Sequence, residues 1–253
     1  LKPINFDDKM TYPVALIIHG GPEGSLGNHW SYRWNALLWA SQGFGVVMIN
    51  PEGSTGKGQK FVDAVRNDWG GKPYESLMLG LDYVLKENPW LNGDNACAAG
   101  ASYGGYMINW IQGHTKRFKC LVTHDGVFST LNMFYITDEM WFPKAEYCEL
   151  NNVGCTPFFF FEIKKGFTKF SPDRFIENWA TPHLVIHGSM DLRIPISEGV
   201  ALFTALQYKG IPSKFVHFPL ENHWVLNQSN SIGWYENVLG WFKTYTTPPT
   251  PKK

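Results

Sequence analysis

The sequence predicts an α/β fold, with a mostly parallel central sheet and helices on both faces. Two observations carry this. Short, fully apolar runs alternate along the chain with longer stretches whose apolar residues recur at helical spacing, and most runs close on Gly, Pro or Asn. An unbroken apolar run is a strand buried on both faces, and strands separated by helices pair in parallel through crossovers. Composition agrees: of 253 residues, 44% are hydrophobic and 17% charged, enough for a large core in one domain over 1–253.

Taken in order, "VALIIHG" (14–20) is a buried strand running into glycines. "SYRWNALLWASQGF" (31–44) has helical spacing and stops at Gly43. "GVVMIN" (45–50) is a second buried strand, closed by Pro51 and the loop "GSTGKG". "YESLMLGLDYVLKEN" (74–88) is an amphipathic helix, "ACAAG" (96–100) a strand, "GYMINWIQG" (105–113) a helix and "KCLVTHDG" (119–126) a strand. After 129–175, the rhythm resumes with strand "HLVIHG" (183–188), helix "ISEGVALFTALQYKG" (196–210), strand "SKFVHFP" (213–219) and helix "SIGWYENVLGWFKTY" (231–245). The stretch 129–175 is aromatic and irregular and reads as an insertion capping the sheet; the tail "TTPPTPKK" reads as frayed.

Several functions are disfavoured at once. Lys plus Arg and Asp plus Glu each number 22, so the net charge is zero. No basic stripe points to nucleic acid, and no cationic cluster points to an anionic membrane. No apolar run approaches the length of a membrane span. The first residues, "LKPINFDDKMTYP", are not a signal peptide and read as the interior of a longer protein.

The chemistry concentrates at Gly100-Ala101-Ser102-Tyr103-Gly104, a G-x-S-x-G between a predicted strand and a predicted helix. That context suits a nucleophile elbow. The serine takes a strained conformation, its neighbours two residues away lack bulk, and the helix N-terminus points its free N–H groups at developing negative charge. The plainer alternative is a tight turn with an incidental serine. A serine hydroxyl needs a base, and the base an orienting acid, here in the chain order Ser, acid, His. His223 lies in the loop "PLENHWV" after the last strand, and Asp191 in "VIHGSMDLRIP" after the strand before it. Parallel strands deliver both loops to the elbow's side of the sheet. Ser102, Asp191 and His223 are therefore the expected nucleophile, orienter and base. Glu198 falls in the next helix and reads as solvated, and Glu221 is too close in sequence to His223 to orient it. His183, His187 and His217 read as structural, His114 as a helix cap and His124 as a weaker rival. Two N–H groups, of Tyr103 and Gly21, are the candidate oxyanion hole; Gly20 and Gly21 permit close approach, and Pro22 stiffens the turn.

"IHGGPEGS", "NPEGSTGKGQKF", "NDWGGKPYESL", "GASYGGYM", "HGSMDLRIP" and "ENHW" together resemble the prolyl oligopeptidase family of serine peptidases, in its acylaminoacyl-peptidase and dipeptidyl-peptidase V branch. "AAGASYGGYMINWIQG" and "LVTHDG" look most like the secreted fungal enzymes. The resemblance implies an α/β-hydrolase fold, a peptide substrate, a secreted protein, with a cytoplasmic one as the alternative, and an N-terminal β-propeller in the same polypeptide, of which this chain shows no repeats. It also implies that Arg193 hydrogen-bonds a substrate carbonyl upstream of the cleaved bond. Val127, Phe128, Tyr103 and Ile194 would surround the side chain before the cut, with Trp141 and Phe142 closing it; core packing is the alternative for each aromatic. "AEYCELNNVGCTPFFFFEIKKGF" departs from the family pattern.

Cys97 and Cys120 fall in central strands and read as reduced, buried apolar residues. Cys148 and Cys155 flank a turn and would bridge in a secreted protein. No metal-ligand spacing appears, so neither metal nor cofactor is expected. Asn227-Gln228-Ser229 is a glycosylation acceptor pattern. Beside an exopeptidase acting near peptide N-termini, a carboxylesterase on the same triad and a non-catalytic hydrolase-like module remain as alternatives.

Overall fold

The computed structural model describes residues 1–27, 30–147 and 167–252. Six parallel strands run in the order β2-β1-β3-β4-β5-β6. They are β1 (Met10–Ile18), β2 (Gly45–Met48), β3 (Leu91–Ala101), β4 (Cys120–His124), β5 (His183–Gly188) and β6 (Ser213–Phe218). Their side chains alternate between faces, and each face buries its own cluster. Val14, Leu16 and Ile18 of β1 join one core with Leu77 and Leu81 of α3 (Lys72–Glu87) and Met107 and Ile111 of α4 (Tyr103–His114). Ala15 and Ile17 join the other, with Trp39 of α1 (Ala36–Ser41) and Trp234, Val238 and Phe242 of the last helix. The near-continuous apolar strands are thus explained by helices on both sides.

Several elements differ from expectation. Only Ala36–Ser41 of the predicted 31–44 helix is helical, because the Asn35 side chain accepts from Leu37 N at 3.1 Å and starts the helix there. Upstream, the Tyr235 hydroxyl meets the Asn35 N–H at 2.8 Å and the Arg33 carbonyl at 2.9 Å, and residues 32–34 form a bend. Likewise Asn227 caps the final helix and moves its start forward. A short helix, α2 (Gln59–Asp63), was not expected. The tail is not frayed: β7 (Thr250–Pro251) pairs antiparallel with Met10 and Thr11 of β1. The capping insertion is not wholly irregular, since it contains α5 (Thr130–Ile136) and α6 (Trp141–Tyr147), followed by a 3-10 helix (Pro172–Asn178). Met133, Tyr147, Phe167 and Phe170 carry it into the core around Trp69 and Tyr106. After it come α7 (Ser197–Tyr208) and α8 (Gln228–Tyr245).

The cysteine expectation is corrected. Cys97 and Cys120 are directly opposed in the β3–β4 register, with Cα atoms 4.9 Å apart, and their sulfurs are joined as a disulfide. Each is apolar-packed as expected, but parallel neighbours in one register put both sulfurs on the same face. Register is invisible from spacing alone. The expected Cys148–Cys155 pair lies outside the described residues. A bridge spanning 23 positions removes unfolded-state freedom worth about 3 kcal/mol. Peptide mapping without reductant is expected to recover the Cys97 and Cys120 peptides linked, and Cys97→Ala is expected to lower the melting temperature. Free thiols at both positions after unfolding would contradict the bridge.

Candidate active site

β3 passes into α4 through Ser102, which is held at φ 59° and ψ −121°. The corner leaves no room for side chains. A Cβ on Gly100 would lie 2.4 Å from Gly104 O, and one on Gly104 2.3 Å from Ile18 O. The Ser102 N–H donates to His124 O at 3.0 Å, and its carbonyl accepts from Tyr106 N at 2.8 Å. Strand β4 and the first turn of α4 therefore clamp the strained residue. Its hydroxyl makes no hydrogen bond among the described residues and faces a cavity of about 540 Å³.

The loop after β5 supplies Asp191, which is 1% exposed. Its Oδ1 accepts from Arg193 N and Ile194 N, both at 2.9 Å, which fixes the carboxylate. Its Oδ2 meets His223 Nδ1 at 2.6 Å. An ionised carboxylate only accepts, so Nδ1 carries the proton and Nε2 is left as the basic nitrogen. The two loops are tied together: Met190 N donates to Glu221 O at 2.9 Å, and a Cβ on Gly188 would lie 2.5 Å from that same oxygen. The Glu221 carboxylate points elsewhere, accepting from Leu226 N, Asn227 N and Asn230 Nδ2. Burial disfavours its charge, but the Asn230 amide and the Leu226 and Asn227 N–H groups outweigh this and hold it below the usual range.

The structure brings Ser102, His223, Tyr103, Gly21, Arg193, Ile194, Val127, Trp141 and Phe142 to the cavity wall. Asp191 stands behind His223. Tyr103 opens α4, so its N–H lacks an intrahelical acceptor. Gly21 sits at φ +127°, where an L side chain would be strained, and a Cβ on neighbouring Gly20 would come within 3.1 Å of Ser102 Cβ. The β1 loop thus lies directly against the elbow. Arg193 pairs with Glu139, another cavity residue, at 2.6 Å.

Two expectations are corrected here. Phe128 does not line the cavity; its ring packs edge-on to Trp179, centroids 5.8 Å apart, in a separate core with Leu202. Glu198 is not solvated but fully buried, accepting from Phe128 N at 2.8 Å, Ser129 N at 2.7 Å and Asn132 Nδ2. It is a fixed point for the start of the insertion, and helical periodicity alone could not reveal that. Among the histidines, His183 is buried against Thr123 Oγ1 at 2.8 Å, and burial pushes it down to about 3. His187 Nε2 lies 2.7 Å from Ile194 O, His217 bonds the Ser189 hydroxyl, and His114 Nδ1 meets Trp110 O at 2.7 Å. The His124 ring lies against Trp34 and Trp234, centroids 6.4 and 5.8 Å away. Asp125, His187 and Asp191 bring potential ligand atoms within 4.8 Å of one another, yet His187 Nε2 faces a carbonyl and both Asp191 oxygens are occupied.

The sequence model of the prolyl oligopeptidase family matches residues 30–248. The chain belongs to this family. Among curated proteins it is 48% identical over 248 residues to dipeptidyl-peptidase 5 of Schizosaccharomyces pombe, covering 97% of this chain and 35% of that protein. It is 45% identical over 250 residues to the probable dipeptidyl-peptidase 5 of Emericella nidulans, covering 97% and 33% respectively. The chain therefore spans about a third of the length of the relatives it matches. Among solved structures, acylaminoacyl peptidase of Pyrococcus horikoshii superposes with a TM-score of 0.84 at 25% identity, covering 98% of this chain and 39% of that one. The fold is that of the α/β-hydrolases, as expected.

One buried acid behind the cavity gives a pH-dependent signature. Glu146, 3% exposed, accepts from Trp69 Nε1 at 2.7 Å. Burial pushes its carboxyl up to about 8; the Trp69 N–H and Arg66 oppose this, and facing Glu23 adds to it. The folded state keeps this proton at neutral pH, whereas the unfolded carboxyl, at an ordinary 4.5, has lost it. Stability from this group is complete below 4.5 and is lost as pH rises through about 8. Thermal melts of wild type and Glu146→Gln are expected to agree near pH 5 and to diverge at alkaline pH, with the Gln form more stable. A Gln form less stable at alkaline pH would show Glu146 to be ionised.

Proposed function

We propose that this chain is the catalytic domain of a serine peptidase that hydrolyses bonds near peptide N-termini, of the dipeptidyl-peptidase 5 or acylaminoacyl-peptidase type. The observation that carries this reading is the convergence on one cavity of a strained, unbonded serine hydroxyl, an Asp191-oriented His223 and two backbone N–H groups. Ser102 Oγ attacks the scissile carbonyl while His223 Nε2 takes its proton; the Oγ–Nε2 contact tightens as substrate fills the cavity. Asp191 keeps the second ring proton on Nδ1 and stabilises the imidazolium. The Tyr103 and Gly21 N–H groups receive the oxyanion, beside the positive end of α4. His223 then protonates the leaving amine, and water attacks the acyl-enzyme by the reverse route.

Arg193 sits at the cavity rim, where its guanidinium can exchange Glu139 for an upstream substrate carbonyl. Val127, Ile194, Trp141 and Phe142 give the pocket for the preceding side chain its apolar walls. The relatives' additional length supports the further reading that a β-propeller domain of the same polypeptide completes the substrate site. A secreted location is supported by the Cys97–Cys120 bridge, since disulfides persist in oxidising compartments.

Asp191→Asn is expected to fold but to present the wrong tautomer, lowering kcat by about 10⁴-fold. Arg193→Ala is expected to weaken dipeptidyl and acyl-aminoacyl substrates while sparing a p-nitrophenyl ester, which lacks the upstream carbonyl. Steady-state kinetics on all three substrates checks both variants. Near-wild-type turnover in Asp191→Asn, or equal damage to peptide and ester in Arg193→Ala, would refute the assigned roles.

A further inference from the structure

Directly beyond β4 lies a buried carboxylate that the reaction as described does not use. Asp125 is fully buried, at a positive φ of 45°, and its N–H donates to Ile186 O at 3.0 Å. The end of β4 is thereby pinned to the end of β5. Its Oδ1 accepts from Gly188 N at 3.2 Å, at the last residue of β5, where the loop that carries Asp191 begins. The same oxygen lies 3.6 Å from His187 Nε2, which is itself 3.9 Å from Asp191 Oδ2. Its Oδ2 lies 3.0 Å from His124 Nε2. Two buried carboxylates thus flank one imidazole, and one of them is the acid hydrogen-bonded to His223.

Two anions this close are tolerated only where cations or proton donors face them. Burial alone would push the Asp125 carboxyl up, but His124 beside it, then His187 and His223, outweigh burial and hold it below the usual range. Asp125 is therefore ionised at neutral pH. Electrostatic interaction is reciprocal: an anion favoured by a positive His223 also favours that positive charge. His223 becomes positive in the transition state, so a negative Asp125 stabilises it there.

We propose that Asp125 is a positioning residue for the catalytic pair: it anchors the start of the Asp191 loop through the Gly188 N–H, and its carboxylate, within 4.8 Å of that of Asp191, adds a second negative charge behind His223. The proposal rests on the triad reading above. Among the described residues, Asp191 bonds His223, and the other charged side chains on its cavity wall are Glu23, Arg33, whose guanidinium lies 4.5 Å from the Trp224 ring centroid, and the Arg193–Glu139 pair, with His19 as a further titratable group. Arg33 also faces Asp125 and offsets part of its charge.

The test is the pH dependence of kcat/KM on a dipeptidyl substrate for Asp125→Asn, which keeps an oxygen for Gly188 and removes the charge. KM is expected to stay within about threefold while kcat falls roughly tenfold to a hundredfold, the worth of one nearby charge in a partly buried site. The acidic limb is expected to move to lower pH, because one of the two anions favouring the protonated ring is gone. Asp125→Glu, which restores the charge, is expected to return the limb to its wild-type position even where kcat remains reduced. If Asp125→Asn does not fold, Asp125→Ser provides the neutral side chain. A wild-type profile in the neutral variant would overturn the proposal, as would a fall by one factor at every pH with the limb unmoved. Full activity in Ser102→Ala would instead overturn the triad reading itself, so the two failures are separable.

Discussion

The backbone of Ser102 at φ 59° and ψ −121° constrains everything around it. An L residue with positive φ is strained, and the strain persists only where the surroundings hold it in place. Here the hold comes from three directions: Gly100 and Gly104 pack backbone to backbone, the Ser102 N–H is tied to His124 O, and the β1 end runs along Gly104. The need for bare backbone at that crossing explains the glycines. On the face that β3 shares with α4, the strand presents Ala96 and Ala98 before the elbow, small enough for the helix to lie close over the sheet.

From that corner the rest of the site follows by topology. Parallel strands place the ends of β1, β3, β4, β5 and β6 on one edge, so five loops contribute to one cavity. The β1 loop brings Gly20 and Gly21 against Ser102, the β5 loop brings Asp191 and Arg193, and the β6 loop brings His223. The β5 and β6 loops hold each other through the Met190–Glu221 hydrogen bond, with a glycine at the closest approach. Asp125, at the end of β4, joins this arrangement from below. Neutral and charged carboxyls play different parts in it: Glu146, pushed up to about 8, keeps its proton near the cavity, while Asp125 stays ionised among histidines.

Much of this was legible in the sequence, for a physical reason. A nucleophile elbow demands glycines at fixed offsets, and a parallel sheet demands that acid and base come from successive loops, so chain order alone identifies Ser102, Asp191 and His223 as candidates. Relations between distant elements were not legible. The Cys97–Cys120 bridge depends on strand register, and the burial of Glu198 depends on the N–H groups of Phe128 and Ser129 being turned toward it. Phe128 itself neighbours a true cavity residue, Val127, but adjacent side chains diverge, and it entered another core. The helices of the insertion were hidden because aromatic residues there pack onto Trp69 and Tyr106 without a clean helical period.

The central claim is that the elbow hydroxyl is the reacting atom and that His223 activates it. Mass spectrometry of the protein after treatment with a fluorophosphonate tests this most directly, because the reagent forms a stable bond only with an activated serine. One adduct per chain on the Ser102 peptide, absent in Ser102→Ala and much slowed in His223→Ala, is the predicted result. A stoichiometric adduct on any other residue, or undiminished labelling in either variant, would contradict it.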